Sequence, residues 1–501
     1  MRNTFKRRYQ WRKSYKIAFI FWMLWMLLQI SINLLAQQPS IIFTKEAKQP
    51  DRSLSEQIKL QLSECRNMLN YPKTVERFYQ ARTYRLAWVE KDNHSNQVAP
   101  AMMILDCVSQ FGLNRMDFHP EALIYRQVEV LAEQPGMLSS AERAIFDVLL
   151  TDAMITFMNH LHYGKFNIVL TPSKIDRGDA GDMKAEISLS GLMDGKDFYN
   201  EICKVQPASN EYDALQRYMH LVRGQYLEDS YEFPEQSVRK MTINMERLRW
   251  LSAVQTPNLI INIPAFTAKL KLKNITHQYK VVVGKPSSPT PILESSITHF
   301  TVAPEWKVPY KIFINEVLPK AIKSVDYLDN NHYSIYDAKG KYIEPTRQKL
   351  RAVAMHPQNY FVRQSSGCDN ALGKIVFRFA NNYDVYLHDT PQPKLFLLPE
   401  RGISHGCVRI EQVEQLAALI LAQDGSASKI PLMRKAVLSY QTKNFLLKTA
   451  VPIKLVYLTC EMIDSQLVIY NDIYAEDRGL ELAMYGYEKL LASDLRIKSR
   501  L

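Results

Sequence analysis

One short polar motif contains the residue of this sequence that is best suited to chemistry. Residues 401–409 read R-G-I-S-H-G-C-V-R, and Cys407 stands at the start of a strand-like run. A thiolate is a strong nucleophile, and a neighbouring base or positive charge must lower the pKa of the thiol to produce it. His388 is a candidate base, because it ends the predicted strand Tyr383–His388 and two adjacent strand ends would bring both side chains together.

Alternation along that predicted strand separates two faces. Successive side chains of a strand point in opposite directions, so Val385 and Leu387 are predicted to face the core. Asp384, Tyr386 and His388 are then predicted to share the opposite face.

The glycine before the cysteine indicates how charge on a substrate oxygen would be stabilised. Gly406 suits close approach of a substrate to the backbone, and its amide and that of Cys407 are predicted to form an oxyanion hole. Two other interpretations remain open from these residues alone. Cys407 is also compatible with a buried structural cysteine, and His388, His405 and Cys407 are compatible with a zinc site.

The elements around this motif fall into two halves. Residues 56–256 show helical periodicity and predict a helical scaffold domain without catalytic residues. The clearest helix covers 140–163, where Ser139 and Glu142 form a capping-box pattern and Gly164 ends the apolar stripe. Further helices are predicted from Tyr212 to about Tyr226 and over Val238–Leu248.

Residues 257–480 change to short β-branched or aromatic runs, which predicts a β-rich domain and an α+β fold overall. Within it, the polar and irregular stretch at about 320–372 predicts a lid or an inserted subdomain. Residues 481–501 are predicted to form a C-terminal helical tail. The predicted strands and one helix are Leu259–Ile263, Tyr279–Val283, Ile375–Phe379, Tyr383–His388, Ile453–Leu458, Leu467–Tyr470 and the helix Val413–Leu421.

The N-terminal segment predicts export. Residues 1–16 are basic and precede an apolar run at 17–36, which is long enough to span a bilayer with its N-terminus in the cytoplasm. A cleaved signal peptide is the alternative to a retained anchor; the anchor is favoured because Leu34 fits a cleavage after Ala36 poorly. Residues 37–55 are polar and predict a linker, so the bulk of the chain is expected outside the cytoplasm.

Charge and cysteine content exclude other classes of protein. The net charge is +12, but seven basic residues fall within the first sixteen positions, so no nucleic-acid partner is expected. The six cysteines are scattered without a C-x-x-C pair. In an exported chain an even number is compatible with disulfides, although a core of this size does not require them.

The motifs resemble a known family. H-D-T at 388–390 and S-H-G-C-V-R at 404–409 are similar to the signature of the L,D-transpeptidase catalytic domain of YkuD type. Their surroundings resemble the large periplasmic branch of Gram-negative bacteria, in which a helical scaffold domain precedes a β-rich catalytic domain with an inserted lid. The similar passages are Tyr79–Trp88, His162–Pro172, Asn244–Leu251, Val281–Pro291, Pro304–Pro309, Asn370–Gly373, Tyr386–Pro391 and Asp472–Tyr474.

The resemblance implies a role for each matching position. Cys407 is the implied nucleophile and His388 the implied proton acceptor and donor. The backbone carbonyl of Asp389 is implied to orient the imidazole. The implied pocket residues are Ser404, His405, Gly406 and Arg409, and the candidate substrate-binding residues are Arg401 and Tyr386.

A structural salt bridge is the alternative for Arg401 and Arg409. No metal or cofactor is implied.

Two departures from the family pattern stand out. Only seventeen residues separate Tyr226 from Asn244, so a small peptidoglycan-binding module expected there is predicted to be absent. Cys368 precedes the Asn370–Gly373 passage as a second thiol of unassigned role.

The implied activity is the cross-linking of peptidoglycan stem peptides in cell-wall biogenesis. Cys407 would attack the third residue of a donor tetrapeptide, release the terminal D-Ala and pass the acyl group to an acceptor stem. The expected location is the periplasm, with a tether to the inner membrane through residues 17–36. An L,D-carboxypeptidase and a catalytically silent wall-binding protein are the alternatives.

Overall fold

The computed structural model describes residues 53–88, 97–133, 137–193, 195, 197–223, 234–252, 258–273 and 275–486. The predicted cytoplasmic segment, the apolar segment at 17–36, most of the linker and most of the C-terminal tail lie outside these residues. A helical part precedes a β-rich part, which confirms the predicted fold class. The helices of the first part are Leu54–Glu64, Pro72–Ala81, Val98–Asp106, Tyr125–Glu133, Ser140–Tyr163, Pro172–Arg177, Ala185–Leu192, Phe198–Cys203, Asn210–Arg223 and Glu235–Ser252.

The helix Ser140–Tyr163 is the centre of the scaffold domain. It begins at the predicted capping box, in which the Ser139 hydroxyl accepts from the Glu142 amide and the Glu142 carboxylate accepts from the Ser139 amide. It ends at Gly164, whose φ is 81°. Among the described helices it alone is long and apolar enough to cross a membrane, and nearly all of it is buried inside the scaffold.

A buried carboxylate on this helix organises the chain around it. Asp147 is fully buried and accepts from the Tyr79 hydroxyl at 2.6 Å and from the amides of Ala87 and Trp88. Burial raises the pKa of Asp147 to about 6, although these hydrogen bonds oppose the shift. Buried polar groups are stable when they are fully hydrogen-bonded, so the Tyr79–Trp88 passage is fixed to the central helix.

Over the described residues, the β-rich part contains fifteen strands in three sheets, and the largest has nine strands in the order β11-β3-β12-β10-β9-β4-β13-β1-β2. β2 also pairs with β3, so the two ends of the sheet approach each other. The strands are β1 Leu259–Asn262, β2 Thr267–Leu272, β3 Ile275–Gly284, β4 Leu293–Val302, β5 Trp306–Lys307, β6 Tyr333–Asp337, β7 Tyr342–Ile343, β8 Tyr360–Gln364, β9 Ile375–Phe379, β10 Leu387–His388, β11 Gly402–Ser404, β12 Val408–Ile410, β13 Lys443–Val456, β14 Cys460–Ile463 and β15 Gln466–Ile469.

One face of this sheet packs against the helices Val413–Gln423 and Ile430–Leu438 and forms the main core of the catalytic half.

The strand predicted over Tyr383–His388 is shorter than expected. Asp384 has a φ of 54°, which interrupts an extended chain, and only Leu387–His388 pairs as β10. Val385 and Leu387 nevertheless face the core as predicted.

The stretch predicted as a lid or an inserted subdomain at about 320–372 is a folded subdomain, and it begins earlier than predicted, at Trp306. Its sheet has the order β5-β8-β6-β7 and packs against short helices, around a core that runs from Trp306 to Leu372. Val376 of β9 belongs to this core, so the subdomain packs on the face of the main sheet opposite the main core. Its helices are Tyr310–Ile312, the π-helical turn Phe313–Val317, Leu318–Lys323, Asp326–Asn330 and Arg347–Met355.

The helix Glu235–Ser252 joins the two halves. Its predicted apolar stripe, Val238, Met241, Met245 and Leu248, packs in one core with apolar residues of the Asn210–Arg223 helix and with Val456, Leu458 and Cys460 from the β-rich half. The Asn244 side chain also exchanges two hydrogen bonds with Thr459. The passage Asn244–Leu251 therefore belongs to the domain junction.

A buried ion network completes that junction. Asp477, at the start of the helix Asp477–Tyr485, pairs with Arg247 at 2.5 Å and with Lys240, and it accepts from the Thr459 hydroxyl. Burial acts to raise the pKa of Asp477, but Arg247 and Lys240 outweigh it and hold that pKa below its ordinary value. This carboxylate therefore stabilises the fold above a pH of about 4, and the contribution is lost as the pH falls further.

We expect Asp477→Asn to lower the free energy of unfolding by about 3 kcal/mol, because it leaves two cations buried at the junction without their counter-charge. Urea unfolding at pH 7, followed by circular dichroism, measures the loss. Glu201→Gln is the control, since Glu201 forms an exposed pair with Lys204 and should change stability by less than about 1 kcal/mol. Equal effects of both substitutions would contradict the assigned role of Asp477.

Candidate active site

Two adjacent strands, β10 and β12, bring the predicted catalytic side chains onto one face. β10 runs parallel to β12, with Leu387 opposite Val408 and His388 opposite Arg409. Leu387 and Val408 are fully buried in the main core, so the residues on either side of them point to the other face. This face is the one that the lid covers, and it presents His388 and Cys407 from adjacent strands.

The backbone next to Cys407 is fixed by side chains from the loop after β3. The Thr290 hydroxyl donates to the Gly406 carbonyl at 2.7 Å, and the Ser288 hydroxyl donates to the His405 carbonyl at 3.0 Å. Gly284 lies against this turn, and a Cβ there would meet the Thr290 amide nitrogen at 2.8 Å. The Val281–Pro291 passage therefore holds the nucleophile loop in place.

The Cys407 thiol is half-buried and protonated in this environment. Burial raises its pKa, while the backbone amide and hydroxyl of Tyr386 and the charges of Arg378 and Arg409 oppose that shift. The thiol donates to the Asp384 carbonyl at 3.8 Å. The left-handed turn at Asp384 that shortens β10 thus also provides an acceptor for the resting thiol.

His388 is buried and neutral. Burial and the nearby charge of Arg409 lower its pKa to about 3, although the carbonyls of Asp389 and Leu372 act in the opposite direction. Its Nδ1 has no partner of hydrogen-bond geometry among the described residues, so these carbonyls act on the ring through proximity. The Tyr386 ring is 5.4 Å away, centroid to centroid. Thiol and imidazole therefore lie on adjacent strands as uncharged groups, and no hydrogen bond joins them among the described residues.

Asp389 is anchored to the chain before β9. Its amide donates to the Ile375 carbonyl at 3.0 Å, and its carboxylate accepts from the Lys374 amide at 2.9 Å. Gly373 makes room for that carboxylate, because its φ is 61° and a Cβ there would lie 2.5 Å from the Asp389 Cβ. The Asp389 side chain thus fixes the backbone beside His388, in addition to the implied role of its carbonyl.

Two residues of the lid subdomain contact the site. Trp306 Nε1 donates to the Tyr386 hydroxyl at 3.2 Å, and the Glu316 carboxylate pairs with His405 Nε2 at 2.6 Å. His405 therefore contacts the lid through its Nε2. Within the described residues no three histidine, cysteine or carboxylate side chains form a group that could hold a metal ion, so the zinc interpretation gains no support from the geometry.

Arg409 is a half-buried cation whose charge acts on both His388 and Cys407. Its Nε has no hydrogen-bond partner, and no carboxylate of the described residues pairs with it, so the structural salt bridge considered for it is not formed. An unpaired guanidinium at this position is suited to binding an anionic group of a substrate.

The structure corrects two of the expected roles. Arg401 is not available to a substrate, because its guanidinium donates to the carbonyls of Val281, Leu398 and Phe266 at 2.7–3.1 Å. It holds three backbone segments together, which is neither the salt bridge nor the binding role considered for it.

The Gly406 amide is not free to stabilise an oxyanion. It donates to the Ser404 hydroxyl at 3.1 Å, and that hydroxyl donates in turn to the Cys407 carbonyl at 2.6 Å. Gly406 is needed for conformation instead, since its φ is 113°. Ser404 is therefore a structural member of the loop, and Tyr386 is a side-chain donor whose hydroxyl acts on the thiol.

Residues outside the motif complete the site. Trp306, Thr290 and Glu316 received no role from the sequence, although Trp306 and Thr290 lie in passages that resemble the family. Only long-range packing brings them to Cys407.

All six cysteines are free, and Cys368 is exposed.

We expect Gly373→Ala to reduce turnover by at least tenfold, because the new methyl group displaces Asp389 and the imidazole beside it. Gly340→Ala is the matched control: Gly340 also has a positive φ, of 82°, but a Cβ there meets nothing within 4 Å. Turnover of a donor tetrapeptide and thermal unfolding of both variants measure the effect. A loss of turnover equal in the two variants would contradict it.

Comparison with known proteins agrees with the site. Residues 257–432 match the L,D-transpeptidase catalytic domain, and residues 73–219 match the scaffold domain. A protein of Haemophilus influenzae named "Putative L,D-transpeptidase" is 30% identical over 252 residues, which is 50% of each chain. The match thus spans about half the length of this curated relative. The chain therefore contains a scaffold domain followed by an L,D-transpeptidase catalytic domain, and this catalytic domain contains Cys407 and His388.

Proposed function

We propose that this protein is a peptidoglycan L,D-transpeptidase that cross-links stem peptides through a thioester on Cys407. The observation on which the proposal rests is the face that combines an uncharged Cys407–His388 pair with the unpaired cation of Arg409 beneath a lid. A stem peptide offers the matching groups, namely an acyl carbonyl for the thiol and carboxylates for the cation.

His388 is the proposed carrier of the proton. As the Cys407 sulfur attacks the carbonyl of the third residue, the imidazole accepts the thiol proton. Burial and Arg409 disfavour the resulting imidazolium, which explains the low pKa of the resting ring. The imidazolium is therefore a strong acid, and it returns the proton to the nitrogen of the departing D-Ala as the carbon–nitrogen bond breaks.

Tyr386 is the proposed donor to the developing oxyanion. Its hydroxyl accepts from Trp306, so its own proton remains available to the reacting group. Burial and the adjacent Cys407 raise the pKa of Tyr386, which keeps the hydroxyl protonated throughout the working range. The amide of Cys407 is the proposed second donor, and the Gly406 amide remains bound to Ser404.

The lid is proposed to decide the fate of the thioester. A thioester reacts with any nucleophile that reaches it, so transfer to an amine requires a positioned acceptor and restricted access of water. The lid contacts the site through Trp306 and Glu316, on both sides of Cys407. The alternative is an L,D-carboxypeptidase, in which water resolves the same thioester.

The location proposed for this activity is the periplasm. The apolar run at 17–36 with its basic flank favours attachment to the inner membrane, from which the folded part would reach the wall. The substrate of the family, peptidoglycan, agrees with that location.

We expect Cys407→Ala to abolish thioester formation and cross-linking, and His388→Ala to slow both by about 10²–10⁴-fold, since one change removes the nucleophile and the other removes the proton carrier. Mass spectrometry of muropeptides after incubation with purified protein measures dimers and tripeptides. Cys368→Ala is the control and should retain wild-type rates, because Cys368 is exposed and lies outside the motif. Dimers formed by Cys407→Ala at the wild-type rate would overturn the proposal; tripeptides without dimers in the wild type would favour the carboxypeptidase.

We expect Glu316→Ala to raise the ratio of hydrolysis to transfer by about two- to fivefold, which corresponds to the loss of one half-exposed hydrogen bond of about 0.5–1 kcal/mol between lid and loop. The ratio of tripeptide to dimer measures this partition. Glu344→Ala is the control within the same subdomain, because Glu344 pairs with Lys349 at its exposed surface. An unchanged ratio in a folded and active Glu316→Ala protein would contradict the role of the lid contact.

A further inference from the structure

We propose that Arg378 binds a carboxylate of the donor stem peptide beside Cys407, and that it thereby selects peptides with a free acid at that position. This inference rests on the proposed function and adds a specificity residue to it. Arg378 belongs to β9, outside the cysteine motif, and nothing in the sequence around it indicates a site.

Strand register places Arg378 in line with the nucleophile. β9 pairs antiparallel with β10, with Phe377 opposite Leu387 and Val376 opposite His388. The next pair is therefore Arg378 and Tyr386, and the guanidinium carbon lies 5.4 Å from the centroid of the Tyr386 ring. Tyr386 in turn neighbours Cys407 across the parallel β10–β12 pairing, in which its carbonyl accepts from the Val408 amide.

This arrangement gives a row of three side chains on one face of the sheet. Adjacent strands are about 4.8 Å apart, so β9 and β12 are separated by about 10 Å, and an arginine side chain spans much of that gap. The charge of Arg378 acts on the thiol of Cys407 and on the hydroxyl of Tyr386, which shows that it is close to the reacting groups.

Arg378 is an exposed cation without a counter-charge. No carboxylate of the described residues forms an ion pair with it, and on its other side in the row lies His299 of β4. Two other arginines of this half differ from Arg378 in this respect, since Arg363 pairs with Glu305 and Arg401 donates to three carbonyls. Stacking on Tyr386 holds the planar group of Arg378 in place, with its nitrogens open to a ligand.

The chemistry of the donor fits a second cation. A tetrapeptide that ends in D-Ala has a carboxylate one residue beyond the scissile carbonyl, and its diaminopimelate has another on the side chain. Arg409 lies two residues after Cys407 and Arg378 lies two strands away, so the two guanidinium groups flank the thiol. A guanidinium binds a carboxylate in a bidentate manner, and it does so more strongly than it binds a neutral amide.

Binding of a carboxylate by Arg378 can be distinguished from an indirect effect of Arg378 on the thiol. If the residue acted only by stabilising the Cys407 thiolate, its loss would slow the reaction with every donor and with a small alkylating reagent alike. If it binds a carboxylate, its loss affects acidic donors selectively and leaves alkylation of Cys407 nearly unchanged.

The experiment compares three synthetic tetrapeptides: the free acid, the C-terminal carboxamide, and the carboxamide of the diaminopimelate side chain. Affinities are measured by calorimetry in full-length Cys407→Ala protein, with and without Arg378→Met or Arg378→Lys. KM, kcat and the rate of iodoacetamide alkylation are measured in protein that retains Cys407. Arg363→Met is the matched control, because Arg363 is also exposed and stacked on aromatic rings.

We expect Arg378→Met to weaken binding of the free acid and to raise its KM by about 10- to 100-fold, because the loss of one charge-assisted hydrogen bond lowers an affinity by about that factor. The value of kcat should change less than about threefold. One of the two carboxamides should bind the protein with Arg378 intact as weakly as the free acid binds the Arg378→Met protein. The affinity of that carboxamide should not fall further in Arg378→Met. The position of its amide then identifies the carboxylate that Arg378 binds. Arg378→Lys should recover part of the affinity, and Arg363→Met should have no effect.

Equal weakening of all three peptides by Arg378→Met, or a parallel fall in alkylation rate, would overturn the inference. So would equal binding of acid and carboxamides to the protein with Arg378 intact. Failure of the proposed function would be a separate result. Wild-type protein would then form no thioester on Cys407, whereas carboxylate recognition is measured as binding in a protein that does not catalyse the reaction.

Discussion

The parallel pairing of β10 with β12 is the constraint on which the site depends. Leu387 and Val408 face each other in the main core, and this places His388 and Cys407 on the opposite face. The side-chain period of a strand is two, so a slip of one residue in either strand would bury one of the reacting groups in the core. Burial of these two apolar residues therefore fixes the catalytic geometry, although neither takes part in the reaction.

Desolvation follows from the same arrangement. The catalytic face is covered by a subdomain with its own core, and the buried imidazole remains neutral beside a protonated thiol. A preformed ion pair would be costly there, so charge develops only when a substrate arrives. The arginines of the site tune this balance from both sides: they favour the thiolate and disfavour the imidazolium.

Local patterns in the sequence predicted local features well. The capping box at Ser139, the stripe on the helix Glu235–Ser252 and the inward direction of Val385 and Leu387 depend on neighbours within a few positions, and the structure confirms them. Features that depend on distant partners were missed. The folded core of the lid, the three carbonyls around Arg401 and the occupied amide of Gly406 are set by contacts across many residues, which composition and periodicity do not encode. The row of side chains from Arg378 to Cys407 was not predicted from the sequence for the same reason, since it depends on the register of three strands.

The shared core at the domain junction has a consequence for how the chain is made. The helix Glu235–Ser252 places its apolar stripe against residues 456–460, and Asn244 bonds to Thr459 across a separation of 215 residues. Synthesis proceeds from the N-terminus, so this stripe emerges long before the strands that cover it. Contacts at such separation also close slowly, because the loop between them must be ordered first. The growing chain therefore leaves this apolar stripe uncovered until residues 456–460 have been made, so the junction between the two halves can close only when nearly the whole chain has been synthesised.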